Sequence, residues 1–269
     1  DKLQVGHPPG APTFQLIGSL FSNFAGGDVT KIAYTINAMS AICSGFTILF
    51  LFWSITMLAK KFVKKPEEMT TAQMIAVFGS GLVGSLAYAF SDTFWYSAVE
   101  GEVYAMSSCF TAIVFWAILK WESQADDTHN LRWLLLIAFL IGISIGVHLL
   151  NLLAIPAVTY VYYFKKFPHV EKNKKKKFVL VGVISMVLVA FILYFVVPYI
   201  VILAGKFEIF FTNSLNAPFN TGTIVYFVLL IAAIAVGLYY STKKNNPMLN
   251  ASNLSLLFIL VGYTAFLVL

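Results

Sequence analysis

Charge is what this sequence has least of. Only 11% of its 269 residues are charged, against about a quarter in soluble domains. With 59% hydrophobic residues and a mean hydropathy of +0.81, so few polar groups could not cover a soluble fold. Cysteine is scarce too. Cys43 and Cys109 both fall inside apolar runs, and they read as small core residues, not as a disulfide or a metal pair. No P-loop, GxGxxG, HExxH, GxSxG or CxxC spacing occurs, which excludes the nucleotide cradles and hydrolase signatures those motifs carry. A period-locked repeat is also missing.

Long apolar runs are abundant. They fall at roughly 31–59, 71–91, 103–120, 133–148, 151–164, 178–204, 222–241 and 254–269. Several approach the ~20 residues that cross a bilayer core as a helix. The fold class is therefore an all-α polytopic membrane protein of about eight transmembrane helices. The net charge of +6 does not indicate nucleic acid, because the lysines sit in short loops between spans. The connections at 60–66, 121–132, 165–177 and 242–246, with Lys120 flanking the second, carry all the Lys and Arg except Lys2, Lys31 and Lys206. If every run crosses once, all four connections share one side, and the positive-inside rule makes that side cytoplasmic. The outer side then receives 1–30, 92–102, a turn near 149–150, and 205–221.

Two regions depart from simple spans. Residues 11–25 place Phe14, Ile17, Leu20, Phe21 and Phe24 on one helical face and Gln15, Ser19, Ser22 and Asn23 on the other. That pattern predicts an amphipathic helix on the membrane surface, so 1–30 is an outer loop plus interfacial helix and 31–269 is a single membrane domain. Residues 133–164 carry no charged residue and one histidine, His148. One helix of that length would reach about 48 Å, too long for one crossing and too short for two. Two short helices meeting near Gly146, His148 and Asn151 are expected, with Pro156 in the second; such pairs are tolerated where they line a cavity. The chain opens on Asp1, and 254–269 reads as mid-span, so the sequence is expected to continue at both ends.

Four places could carry chemistry. His7, Pro8, Pro9 and Gly10 form a rigid turn before the surface helix; the prolines fix the backbone and aim His7 at the interface. The plain alternative is a stiff entry loop. Residues 91–104 hold Asp92, Glu100 and Glu102 among Trp95, Tyr96 and Tyr104. Acids beside hydrocarbon are costly and mark functional sites, although an aromatic belt with solvated acids would look similar. His148 and Asn151 share a face at i and i+3, as a packed polar pair or as a phosphate contact. The segment 207–222 is rich in Asn, including Asn220, and its amides suit sugar hydroxyls as well as ordinary turns. The lysine run at 172–177 is a topology anchor, with anionic-lipid contact secondary.

The segments KLQVGHPPGAP (2–12), NAMS (37–40), SDTFWYSAVEGEVY (91–104), HLLNLLAIP (148–156) and APFNTG (217–222) together resemble a Bacteroidetes-type membrane family related to the animal protein O-mannosyltransferases. The resemblance runs in order along nearly the whole chain. It implies a type C glycosyltransferase fold and transfer of a sugar from a polyprenyl-phosphate donor to a hydroxyl of an exported protein, on the periplasmic side of a bacterial inner membrane. The family pattern places its acidic catalytic base in an Asp-x-Gly-Glu-type segment ahead of the Lys-Leu-Gln stretch, after a first transmembrane helix. Neither lies within these residues, and Asp1 does not match that acid by position.

Carried onto this chain, the resemblance makes Glu100, Glu102 and Asp92 the candidate catalytic carboxylates. His7, Pro8, Pro9, Trp95, Tyr96, Tyr104, His148, Asn151 and Asn220 are the candidates for binding donor and substrate, with the short helices around 146–156 lining a lipid groove. No metal ligand is assigned; a divalent metal is compatible with this chemistry but not required by any motif. The partners implied are the bilayer, the lipid-linked sugar and an exported acceptor protein. A lipid or solute transporter, and a non-catalytic subunit of an envelope assembly, are the alternatives. The former needs polar groups along the spans near the midplane, whereas the ionisable residues here cluster in loops.

Overall fold

The computed structural model describes residues 11–167 and 174–264. Eleven α-helices follow in chain order among them: α1 Pro12–Ser22, α2 Ile32–Lys60, α3 Thr71–Ala89, α4 Asp92–Val99, α5 Val103–Ser123, α6 Leu131–Ile145, α7 Ala154–Lys166, α8 Lys174–Phe191, α9 Val197–Leu215, α10 Thr221–Lys243 and α11 Pro247–Thr264. Five stretches are long and apolar enough to cross a membrane: Val29–Lys60, Thr71–Ala89, Val103–Ser123, Lys175–Leu215 and Thr221–Lys243. Their outward residues, among them Phe78, Leu82, Val83, Ile184, Val187 and Ile231, are large, apolar and exposed, as a lipid-facing surface requires. The chain is an all-α polytopic membrane protein.

Local chemistry sets the helix ends. Asp28 opens the α2 stretch by accepting the Thr30 amide at 3.0 Å and its hydroxyl at 2.6 Å. The Thr30 hydroxyl, then its amide, hold the Asp28 carboxyl below its usual range. At α3, Thr70 and Gln73 form a reciprocal capping box, which satisfies two donors the first turn leaves free. Inside α2, the hydroxyls of Thr35, Thr47, Ser54 and Thr56 donate to carbonyls three or four residues back. That bonding makes polar side chains tolerable in hydrocarbon.

The centre of the bundle is α5. Its Ala117, Ile118 and Trp121 are fully enclosed, in a cluster with Ile137 and Ile141 of α6 and Ile155 of α7. The Trp121 ring stacks on Tyr162 of α7 at 5.1 Å. Where α6 meets α11, Gly142 and Gly262 let the backbones touch, and a Cβ at either would strike a carbonyl of the other helix.

The short pair expected within 133–164 is present. Helices α6 and α7 are about 20 Å long each and are joined by a turn and a 3-10 segment at Leu149–Leu153. Both pack on α5, and the turn between them meets α1, where the Thr13 amide donates to the Gly146 carbonyl. The far end of α7 returns to the loop after α5, where Lys165 pairs with Asp126 at 3.0 Å.

Two expectations need correcting. The helix expected within 11–25 forms as α1, but its predicted five-residue face divides. Phe14, Ile17 and Phe21 pack on Met39, Met106 and Val147, while Leu20 and Phe24 stay exposed; the protein occupies only part of that face. Residues 205–215, expected as loop, are helical. The helical stretch Lys175–Leu215 is 41 residues long, broken only by a π turn at Ile192–Val196, and stops where Asn216 adopts φ +50°. The predicted loop shrinks to 216–220.

Candidate functional site

The acidic segment lies where α3, α4, α5 and α2 meet. Asp92 sits in the first turn of α4, where the helix dipole favours a carboxylate. Phe94 is buried against Tyr88 of α3 at 4.5 Å, and Trp95 stacks on Phe90 at 6.1 Å. Tyr96 faces outward. The chain then turns through Glu100, Gly101 and Glu102. A Cβ on Gly101 would lie 2.9 Å from Ile36 and 3.1 Å from the Asn37 amide oxygen of α2, so this glycine lets the turn seat directly on α2. The two glutamates flank that fixed point. Asp92, Glu100 and Glu102 are all exposed, and none joins an ion pair among the described residues. Nor, among those residues, do three or more His, Cys, Asp or Glu side chains gather as a metal set.

The α6–α7 turn faces the same region. His148 has an extended backbone, and its Nδ1 accepts the Leu150 amide at 3.2 Å. With Nδ1 as acceptor, the neutral ring carries its proton on Nε2, leaving an N–H donor. Tyr104, at the start of α5, lies against the imidazole at 5.6 Å. Asn151 is buried, and its Oδ1 accepts the hydroxyls of Ser107 at 2.5 Å and Thr111 at 3.2 Å. Its Nδ2 donates to the Ser144 carbonyl at 3.3 Å. Asn151 is thus a polar clamp holding the turn against α5.

Beneath these groups is a cavity of about 580 Å³ between α2, α3, α5 and the start of α7. On α5, residues 104, 107, 108 and 111 follow one helical face, so Tyr104 leads into Ser107, Ser108 and Thr111 on the cavity wall. Tyr88, Asn151 and, on α2, Thr47 and Ser54 are the other polar lining residues, the last two with hydroxyls donated to their own helix, while Leu51, Ile55, Phe115 and Ala157 are apolar. A largely apolar cavity with a hydroxyl-bearing wall on α5, next to the turn that carries His148, suits an amphiphile with its chain inside and its polar head at that turn.

The structure brings Asp92, Trp95, Tyr96, Glu100, Glu102, Tyr104, His148 and Asn151 to one end of the bundle. It places Asn220 apart, on the α9–α10 turn. There the Asn220 backbone, at φ +70°, contributes its amide to Glu208 Oε1 at 2.6 Å. Glu208 also accepts the Thr223 amide at 2.9 Å, so this pair closes a helical hairpin. His7, Pro8 and Pro9 lie outside the described residues. The sequence reading missed Tyr88, Ser107, Ser108 and Thr111; the spacing of the α5 hydroxyls was the available signal.

A family model for the protein O-mannosyl-transferase TMEM260 N-terminal domain matches residues 1–171, a stretch that holds every one of these candidates except Asn220. Protein O-mannosyl-transferase tmem260 of Dictyostelium discoideum is 23% identical over 129 residues, covering 48% of this chain and 14% of that protein. The matched stretch is thus a small fraction of that relative's length. No solved structure matches the chain.

Proposed function

We propose, on the premise that this chain belongs to the family of the protein O-mannosyl-transferase TMEM260 N-terminal domain, that it is part of a membrane glycosyltransferase. It moves a sugar from a polyprenyl-phosphate donor to a hydroxyl of an exported protein on the periplasmic face. The observation that carries this reading is the cavity of about 580 Å³ walled by Ser107, Thr111 and Asn151, next along the chain to the paired rings of Tyr104 and His148. A polyprenyl chain fits the largely apolar cavity, and the donor phosphate then lies within reach of the His148 Nε2–H. The bond from the anomeric carbon to the phosphate oxygen breaks, and the acceptor oxygen bonds to that carbon. The acceptor proton passes to a carboxylate.

Glu100 and Glu102 hold the acceptor or sugar hydroxyls, with Trp95, Tyr96 and Tyr104 as flat surfaces for the sugar. The proton-accepting acid is the one that the family resemblance places upstream of residue 1. A positioned base contributes about 10²–10⁴-fold, and a donor on the leaving phosphate stabilises the charge that develops there.

The test is label transfer from radiolabelled polyprenyl-phosphate mannose to periplasmic proteins, in membranes carrying the full-length parent chain. Glu102→Gln is expected to lower transfer strongly at unchanged expression. Unchanged transfer removes Glu102 from the site. An inserted, folded parent that transfers no sugar from any donor in a panel overturns the enzyme reading.

A further inference from the structure

At the opposite, basic end of the bundle, a second cavity of about 650 Å³ lies between α2, α5, α7 and α8. Its rim is charged: Lys61, Glu122, Asp126 and Lys165. Its walls are apolar and aromatic, with Phe115, Phe164 and Phe178 among them. Leu58 and Phe178 are exposed, so the wall opens sideways toward lipid. We propose that this cavity binds an anionic phospholipid, with its phosphate between Lys61 and Lys165 and an acyl chain along Phe164 and Phe178.

Three observations argue for this occupant. A chamber with an ionic rim and an apolar wall open to the bilayer matches a molecule with the same two halves. Both acids at the rim are already matched: Lys61 pairs with Glu122, and Lys165 with Asp126. Each lysine has three N–H donors and uses one on its carboxylate, so both retain donors for phosphate oxygens. The surroundings are also rich in cations, with Lys60, Lys64, Lys65, Lys120 and Lys166 in the same end segments. Basic pockets between transmembrane helices suit anionic headgroups.

This site is separate from the sugar-transfer site. Of its lining residues, Phe115 is also part of the first cavity. A polyprenyl tail reaching down past Phe115 would make apolar contacts and would not depend on the lysines.

The experiment uses the purified, delipidated full-length protein and needs no sugar donor, so its failure leaves the transfer proposal untouched. Native mass spectrometry with chain-matched phosphatidylglycerol and phosphatidylcholine should show preferential retention of phosphatidylglycerol. The charge-balanced pair Lys61→Gln/Glu122→Gln, and separately Lys165→Gln/Asp126→Asn, should each weaken that retention about fivefold. Lys64→Gln, outside the cavity, should have less effect than either. Equal retention of the two lipids, or retention unchanged in both pairs, overturns the proposal. Displacement of phosphatidylglycerol by equimolar inorganic phosphate would show a phosphate site without lipid selectivity and would overturn it too. If either variant fails to fold, amine acetylation of the wild-type protein in nanodiscs decides. Lys61 and Lys165 should be protected in phosphatidylglycerol relative to phosphatidylcholine, while Lys243 reacts similarly in both; equal modification of all three overturns the assignment.

Discussion

The amide of Thr13 donates to the carbonyl of Gly146 over 2.8 Å, tying the surface helix to the turn above the cavity. A Cβ on Gly146 would collide with the Thr13 hydroxyl. The Gly146 backbone, at φ −74°, suits any residue, so the constraint is contact and not conformation. Gly146→Ala is therefore expected to destabilise the protein by about 1–3 kcal/mol, read as a lower unfolding midpoint in detergent. Gly18→Ala is the control, since a Cβ there meets nothing within 4 Å; it should be neutral or slightly stabilising.

Asn151 is the one acceptor shared by Ser107 and Thr111. Asn151→Leu strands both hydroxyls and should cost about 1–3 kcal/mol. In a Ser107→Ala/Thr111→Val background the same change should cost distinctly less, because the partners no longer need an acceptor. Thermal unfolding of the four proteins checks this, and equal costs in both backgrounds would remove the clamp.

His148 has two separable duties. Its Nδ1 accepts the Leu150 amide, and its Nε2–H faces the proposed phosphate. His148→Asn keeps a side-chain acceptor for the amide, as Asn does at helix starts, but its shorter side chain withdraws the N–H donor from the position of Nε2. It is expected to retain stability while sugar transfer falls roughly 10²-fold, the scale for losing one donor to a developing anion. His148→Phe removes both functions and should lose stability as well.

Glu208 accepts two amides, of Asn220 and Thr223, and two hydroxyls, of Thr212 and Thr223. Glu208→Gln should loosen the start of α10. Hydrogen exchange at the Asn220 and Thr223 amides is expected to accelerate, with exchange at the α6–α7 turn unchanged. Acceleration at both places would mean that the hairpin and the candidate site are coupled.

Much of the fold is legible from the order of residues, because hydrocarbon imposes one rule on every span. A charge-free stretch of 32 residues at 133–164 cannot satisfy that rule as one crossing, and so the α6–α7 pair could be anticipated. The extension of α9 could not. Gly205, Lys206, Glu208 and Asn213 read as loop by composition, and helix persists because Glu208 finds its partners on α10, beyond the reach of any local pattern. The aromatic and acidic residues at 92–104 marked a candidate site through their cost beside lipid. The hydroxyl wall of the cavity did not, since Ser107, Ser108 and Thr111 look like ordinary small residues of a span. Their meaning depends on Asn151, some forty positions later, folding against α5. The surface helix fell between these cases: its periodicity was plain, but nothing local distinguished the three aromatic and aliphatic residues that dock from the two that do not.

The π turn at Ile192–Val196 places one residue more in that stretch than a regular α-helix would hold. At 3.6 residues per turn, each position advances the helix by about 100°. Every side chain beyond Val196 is therefore rotated by that angle relative to a helix without the extra residue. Glu208 meets Thr223 in this phase and not in the neighbouring one. A single-residue deletion among Ile192–Val196 would thus leave hydropathy and length almost untouched, yet swing the part of the helix from Val197 to Leu215 out of phase and turn Glu208 toward a different neighbour. For this segment, counting residues matters more than choosing them: alignments that slip by one position here will misassign the outward and inward faces all the way to Leu215.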